Sequence, residues 1–326
     1  MTKKRISILL LIVLALSLIV GCDKKETSNE VKKDYICIAT GTTKGTYYPL
    51  GRALTKIYND NIKDLRALDQ STQGSVENMV LMGKGKVEIG FVQSDIAYYA
   101  FTGTEIFKDK DKVENIRGMT MLYPEIVQII ANKDANISKV EDLKGKTVAI
   151  GAIDSGIEAN ARQILGIHDI KYQDLKDAQY LPLEEAIEKL KNKEIDAAFI
   201  TAGIPTSAIL EIEETSNFVF ISISKDKIQN LNKKYPFYKE VHIPAGTYKG
   251  QDKDILTAGI MAMLVVSEDL DEDLVYDLTK SIFEYRDTII DSHDRGNDIK
   301  LERAISGMPI ELHKGAKRYF DEKGID

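Results

Sequence analysis

From Tyr35 onward the chain repeats one unit: a short apolar strand, a turn rich in Gly and hydroxyl residues, and an amphipathic helix. Strands that are apolar throughout are buried on both faces, and helical crossovers between them dictate a parallel α/β sheet. The first unit reads as strands at Tyr35–Thr40, Leu65–Asp69 and Glu88–Val92, with helices over Tyr47–Asn59, over Ser75–Met82 and from Ser94. Pro49 falls in a first helical turn, where it is tolerated. Met119–Tyr123 and Ile126–Asn132 read as two strands meeting at Tyr123-Pro124-Glu125, and Asn136–Lys146 as a short helix stopped by Gly145. A second unit has strands at Thr147–Ile150, Ala178–Leu181 and Ile195–Ile200 and helices over Ser155–Leu165, Leu183–Lys191 and Pro205–Glu213. The long apolar segment Ile255–Val266 then leads back towards the first unit, and the tail is mostly helical. With 326 residues, about two domains are expected. The pattern therefore predicts two α/β lobes with a cleft between them, the setting for a small-molecule site.

The segment before Tyr35 has a different character. Lys3, Lys4 and Arg5 precede a nearly uninterrupted apolar run from Ile6 to Val20, ending in Gly21-Cys22. Positive residues followed by an apolar stretch too short to span a bilayer are the pattern of a secretory signal. An uncleaved anchor helix is the competing reading. Residues 1–21 are thus expected to be a signal and 22–34, nearly free of apolar residues, a solvated tether. Loss of the three positive charges takes the net charge from −7 to −10. Such an acidic chain has no surplus of cations for phosphate backbones, which excludes a nucleic-acid binder. Cys37, the second cysteine, reads as a small core residue rather than a reactive thiol.

Catalytic signatures are absent. His168, His242, His293 and His313 form no HExxH pair, and no G-x-S-x-G elbow occurs. Gly145-Lys146-Thr147 resembles the end of a phosphate-binding loop, but Val140 stands where its first Gly belongs and a strand follows. Asp69, Asp95, Glu125 and Glu158 could pair as acid and base, yet without a nucleophile or metal cluster they read as solvated or ligand-binding carboxylates. The chain is expected not to be an enzyme, and neither metal nor cofactor is implied.

What stands out instead is four turns at strand-to-helix junctions: Thr40–Tyr47, Gln93–Asp95, Asp154–Glu158 and Thr201–Thr206. A helix N-terminus offers unpaired N–H groups and partial positive charge, which suits a carboxylate or another anion. Each turn alone reads equally as a plain helix cap; all four in one cleft would be a binding site.

The same stretches resemble the TAXI family of solute receptors, the binding components of a subclass of TRAP transporters. The likeness runs through GTTKGTYYPLG (41–51), QGSVENMVLMGKGKVEIGFVQSDIAY (73–98), LYPEIVQII (122–130), DLKGKTVAIGAIDSGIEANARQIL (142–165), EIDAAFITAGIPT (194–206), YPFYKEVHIPAGTYKGQD (235–252) and VYDLTKSIFE (275–284). It implies a two-lobe, periplasmic-binding-protein-like α/β fold of type II with a strand hinge. Lobe 1 would be 35–126 with 255–326, and lobe 2 would be 127–254. It also implies an extracytoplasmic receptor, lipidated at Cys22 as in a bacterial lipobox and held on the outer face of the cytoplasmic membrane. The receptor would pass a small organic acid or amino acid, glutamate-like as a first guess, to a TRAP permease. An ABC-type receptor and a sensor domain for a membrane histidine kinase share this architecture and are the alternatives.

Carried over by position, Thr42, Thr43, Lys44, Thr46 and Tyr47 with Gln93, Ser94 and Asp95 would line one wall, and Tyr123 and Glu125 the hinge. Ser155, Gly156, Ile157 and Glu158 with Thr201, Gly203 and Ile204 would line the other. The resemblance implies that a ligand carboxylate docks on the Ser155 and Thr42–Thr46 turns, with Asp95 or Glu125 facing an ammonium group. Thr43 and Lys44 depart from the Gly or small residues usual in the family, and Ile157 from its Thr. Lys44 then either meets a second ligand carboxylate or sits on the surface.

Overall fold

A computed structural model describes residues 35–213 and 217–325; the expected signal and tether, with Cys22, lie outside the described residues. Strand β1 (Tyr35–Ala39) leads into helix α1 (Tyr47–Asn61), β2 (Arg66–Gln70) into α2 (Ser75–Gly83) and β3 (Ile89–Gln93) into α3 (Ser94–Thr102). The 17-residue β4 (Ile116–Asn132) follows. Next come β5 (Thr147–Ala149), α4 (Gly156–Ile167), β6 (Asp177–Gln179), α5 (Leu183–Lys191), β7 (Ala197–Ala202) and α6 (Ser207–Glu213). β8 (Phe218–Ile221), α7 (Lys225–Lys234), β9 (Lys239–Ile243) and the 13-residue β10 (Ile255–Ser267) complete the strands. Helices α8 (Glu272–Glu284), α9 (Arg286–Ser292) and α10 (Lys314–Glu322) end the described chain.

The strands form one mixed sheet in the order β2-β1-β3-β10-β4-β7-β5-β6, with β8 added to β4 and β9 to β10. β1 pairs in parallel with β2 and β3, and β5 with β6 and β7. Every pairing of β4 or β10 with another strand of the sheet is antiparallel. Helices cover the sheet on both faces. Leu50, Leu54 and Ile57 of α1 pack with Ile36, Ile38 and the C-terminal helices, whereas Met79, Ile96 and Ile164 pack with Val92 and Val148 on the other side. Ile187, Leu190 and Ile209 of α5 and α6 enclose Ile200 and Ile130. Among the described residues no helix is long and apolar enough to cross a membrane.

The structure departs from the sequence reading in three places. The two strands expected on either side of Pro124 are one continuous strand, β4. Pro124 faces Met261, and the register with β10 shifts just beyond, between Met261 and Met263, so the missing N–H falls at a ladder irregularity. Strand β9 (KEVHI) was not legible as a strand; its mostly exposed, charged residues pair at the edge of β10. In the segment 136–146 only a 3-10 turn forms, Val140–Leu143. Cys37 lies half-buried against the core, with burial pushing its thiol up and so away from reactivity.

One buried side chain ties the first turns together. Asn78 of α2 donates from Nδ2 to the carbonyls of Thr40 (2.6 Å) and Phe91 (2.7 Å), while its Oδ1 accepts from the Thr72 hydroxyl (2.6 Å). It thereby fixes the ends of β1 and β3 and the approach to α2. Replacing Asn78 with Ala orphans these buried partners, and urea titration should show a loss of about 2–3 kcal/mol; a loss below half a kcal/mol would remove this tie from the account.

Candidate functional site

Parallel strands in such a sheet deliver their helices at the carboxyl ends, and the N-termini of those helices face one crevice. Here five of them meet at a single cavity: Thr46 and Tyr47 open α1, Gly74 and Ser75 open α2, and Gln93 caps α3. From across the sheet Ser155 and Gly156 open α4, and Pro182 and Leu183 open α5. Gly74 adopts φ +108°, a conformation reserved for glycine, to start α2 at this point. Thr201 and Ala202, at the end of β7, and Glu125 of β4 form the floor. The first turn of a helix leaves N–H groups without intrahelical partners and carries about half an elementary positive charge. None of the residues lining this cavity is Lys, Arg or His.

Bonds across the crevice hold the two sides together. Gln93 Nε2 donates to Asn160 Oδ1 (3.0 Å), the Gly203 N–H to Thr46 Oγ1 (3.2 Å) and the Lys44 N–H to Glu184 Oε1 (3.1 Å). Gly156 lets Gln93 pack closely here, since a Cβ there would lie 2.0 Å from Gln93 Oε1 and would displace that side chain. The enclosed space is ≈ 60 Å³, well below the ~150 Å³ of an apolar cavity that holds benzene. Two buried polar atoms in its wall, Gln93 Oε1 and Thr201 Oγ1, have no hydrogen-bond partner. Buried polar groups are normally satisfied, so both are open to a ligand.

Of the residues proposed from the sequence, Thr42, Thr46, Tyr47, Gln93, Glu125, Ser155, Gly156, Ile157 and Thr201 line the cavity. The others stand apart. Thr43 and Lys44 face outward, Lys44 on Glu211 and Thr43 near Glu184, so Lys44 is a surface cation at the mouth of the crevice. Glu158 is engaged by Tyr172 Oη (2.7 Å) and by Arg162. Gly203 braces Thr46 through its N–H, and Ile204 belongs to the core around α6. Tyr123 is fully buried behind Glu125, and Ser94 and Asp95 are enclosed in the first turn of α3. The sequence reading passed over Gln73, Gly74, Ser75, Ala152, Pro182, Leu183 and Ala202, which also line the cavity. Gly74-Ser75 and Pro182-Leu183 are strand-to-helix turns like the four singled out.

Side-chain hydroxyls contribute less than expected. The Ser155 Oγ donates to the Ala152 carbonyl (2.7 Å) and accepts from the Glu158 N–H (3.1 Å), so it is spent as the cap of α4. Backbone N–H groups and the unpaired Thr201 hydroxyl are the donors that remain. Glu125 is the carboxyl group of the cavity wall: Tyr47 Oη meets its Oε2 (3.0 Å) and Tyr123 Oη its Oε1 (3.3 Å). Burial pushes Glu125 up to about 8 against the opposing pull of these phenols and of Gln93. Among the described residues no cluster of three or more His, Cys, Asp or Glu could hold a metal ion.

The sheet, its topology and the central crevice define the two-lobe α/β fold of periplasmic binding proteins. A model of the NMT1-like family matches residues 38–324, and the chain belongs to that family. Among solved structures it is similar to PhnD1 from Prochlorococcus marinus in complex with methylphosphonate. That match has 11% identity and a TM-score of 0.57 over 89% of this chain and 97% of the other. It is also similar to Tv2483 bound to L-arginine, with 12% identity and a TM-score of 0.50 over 84% of this chain and 93% of the other.

Asp95 makes a separate prediction. Its carboxyl is fully buried, neither oxygen has a hydrogen-bonded side-chain partner, and burial pushes it up to about 7. A raised folded value means that the native state holds this proton more tightly than the unfolded chain. Its stabilising effect is complete below about pH 4 and is lost as pH rises through about 7. Urea titrations from pH 4 to pH 8 should show stability falling, with Asp95→Asn removing about 2–4 kcal/mol of that fall. An unchanged slope in the variant would rule Asp95 out as its source.

Proposed function

We propose that the chain is an extracytoplasmic solute receptor that captures a small organic anion by closure of its two lobes, and is not an enzyme. One observation carries the reading: five helix N-termini and the unpaired hydroxyl of Thr201, a hydrogen-bond donor, converge on a cavity lined by no basic side chain. An anion there is held by main-chain N–H groups, each charge-assisted bond contributing about 1.5–3 kcal/mol. Three or four such bonds suffice for a Kd of about 1 µM. The small space favours carboxylates, phosphonates or sulfonates of a few non-hydrogen atoms over a glutamate-sized amino acid. PhnD1, which is similar in fold, is in complex with methylphosphonate, a small anion.

The finer assignment rests on the resemblance to TAXI receptors: delivery of the anion to a TRAP permease, with Cys22 lipidated and residues 22–34 as the tether. We place lobe 1 at 35–126 with the C-terminal part and lobe 2 between. The change of lobe in β10 is set near Gly259, because Ile255–Gly259 pair with β9. Opposite Gly259 lies Ile126, so both crossings fall at one level of the sheet. That juxtaposition suits a hinge.

Calorimetry of the purified chain with acetate, propionate, pyruvate, methanesulfonate, methylphosphonate, glycine and L-glutamate tests the reading. At least one small anion should bind with micromolar affinity and a 1:1 ratio. Ile157→Asp, which puts a negative charge on the cavity wall at a helix start that accepts one, should weaken it at least 30-fold, and Ile157→Thr less than threefold. Binding by none of these anions, or indifference to Ile157→Asp, would overturn the assignment.

A further inference from the structure

Resting on the anion-receptor reading, one feature of the cavity calls for a specific chemistry. A wall made of positive helix ends contains a carboxyl group, Glu125, at the point where β4 passes between the two sides of the sheet. An ionised carboxylate sharing this small enclosed space with an anionic ligand would meet like-charge repulsion at low dielectric. We propose that Glu125 serves the site as a neutral carboxylic acid that donates its own proton to an oxygen of the bound anion, so that the receptor takes up anion and proton together. The proton comes from solvent and stays on Glu125, shared in a hydrogen bond with the ligand, and no covalent bond to ligand changes.

Burial holds this form, against phenol and amide hydrogen bonds that pull towards the carboxylate. Tyr47 of α1 and Tyr123 of β4 each place a phenol on one carboxyl oxygen, at 3.0 and 3.3 Å. Both phenols are held in their protonated state by burial, so they can donate to the carboxyl while its own hydrogen turns towards the cavity. Gln93 of β3 presents its amide beside the group, and the charge nearby is the acidic Asp95 of α3, which further disfavours ionisation. On the 3-10 segment that packs against β4, Arg295 is paired with Asp298 (2.7 Å). Opposite Glu125 in β10 stands the uncharged Ile260. With burial holding the acid near 8, the unliganded protein carries this proton at neutral pH. A ligand ammonium would demand the reverse, loss of the proton from Glu125 on binding.

The two arrangements give opposite signs. Calorimetry at pH 6.5 and pH 9.0, in pairs of buffers differing in ionisation enthalpy, counts protons exchanged. The probes are acetate, propionate, pyruvate and methanesulfonate, none of which titrates in this range. Because only the protonated fraction is competent, Kd should be about tenfold weaker at pH 9.0, with close to one proton taken up per anion there and almost none at pH 6.5. Glu125→Gln, which keeps shape and neutrality, should lose both the pH dependence and the proton uptake. Proton release on binding, a flat pH profile in the wild type, or pH dependence and proton uptake that persist in Glu125→Gln would overturn the proposal. A 13C NMR titration of glutamate-labelled protein without ligand, with the Glu125 signal assigned by its absence from Glu125→Gln, gives an independent reading. Titration above pH 7 supports the proposal, and titration below pH 6 overturns it even where no probe binds. Failure of every probe to bind would instead count against the receptor reading.

Discussion

The antiparallel pairing of β4 with β10 is the constraint on which the rest of the structure depends. These are the longest strands, and they join a parallel group led by β1 to a second led by β5. β3 enters the sheet against the late part of β10, whereas β7 enters against the late part of β4, so the two groups run from opposite sides towards the same line. Their helix N-termini can therefore face each other over one crevice. If the β4 register slipped by one residue, Glu125 would exchange faces with a neighbour and the cavity floor would be lost.

Electrostatics in the crevice follow from that geometry more than from composition. The chain is acidic overall, yet the local field comes from peptide dipoles aimed at one point. Side-chain cations stay outside, with Lys44 paired to Glu211 and Lys110 to Asp154 (2.8 Å) at the rim. Exposed pairs of this kind contribute little to stability. They nevertheless join residues from the two sides of the crevice.

Much of this was legible in the sequence, and the exceptions have physical causes. The strand-to-helix rhythm, the Gly- and Thr-rich turns and the departing strand Ile255–Val266 carried the α/β architecture, since apolar runs and turn residues are local signals. Pro124 misled because its effect depends on a ladder irregularity in a distant strand, which no local pattern reports. β9 escaped because an edge strand need not be apolar. At the site, the turn at Thr42–Tyr47 was recognisable, but the direction in which Thr43 and Lys44 point is decided by Glu184 and Glu211, more than a hundred residues away. Gln73–Ser75 was passed over, although its place at the end of a parallel strand puts it in the crevice all the same. Asp95 looked like a counter-charge from its position beside Gln93-Ser94, and only burial reveals that it is sealed from the cavity.

The consumption of the Ser155 hydroxyl as a helix cap has a consequence for how such a receptor diversifies. On the anion-receptor proposal the gripping groups are main-chain N–H groups, which no substitution other than to proline removes. Variation is then confined to the apolar and neutral positions around them: Ile157, Leu183, Ala202 and Thr201. Those side chains set the size and wetness of the compartment while the grip on the charged head stays constant. A lineage built this way can exchange one small acid for another through single substitutions at the wall, with folding and anion capture inherited unchanged.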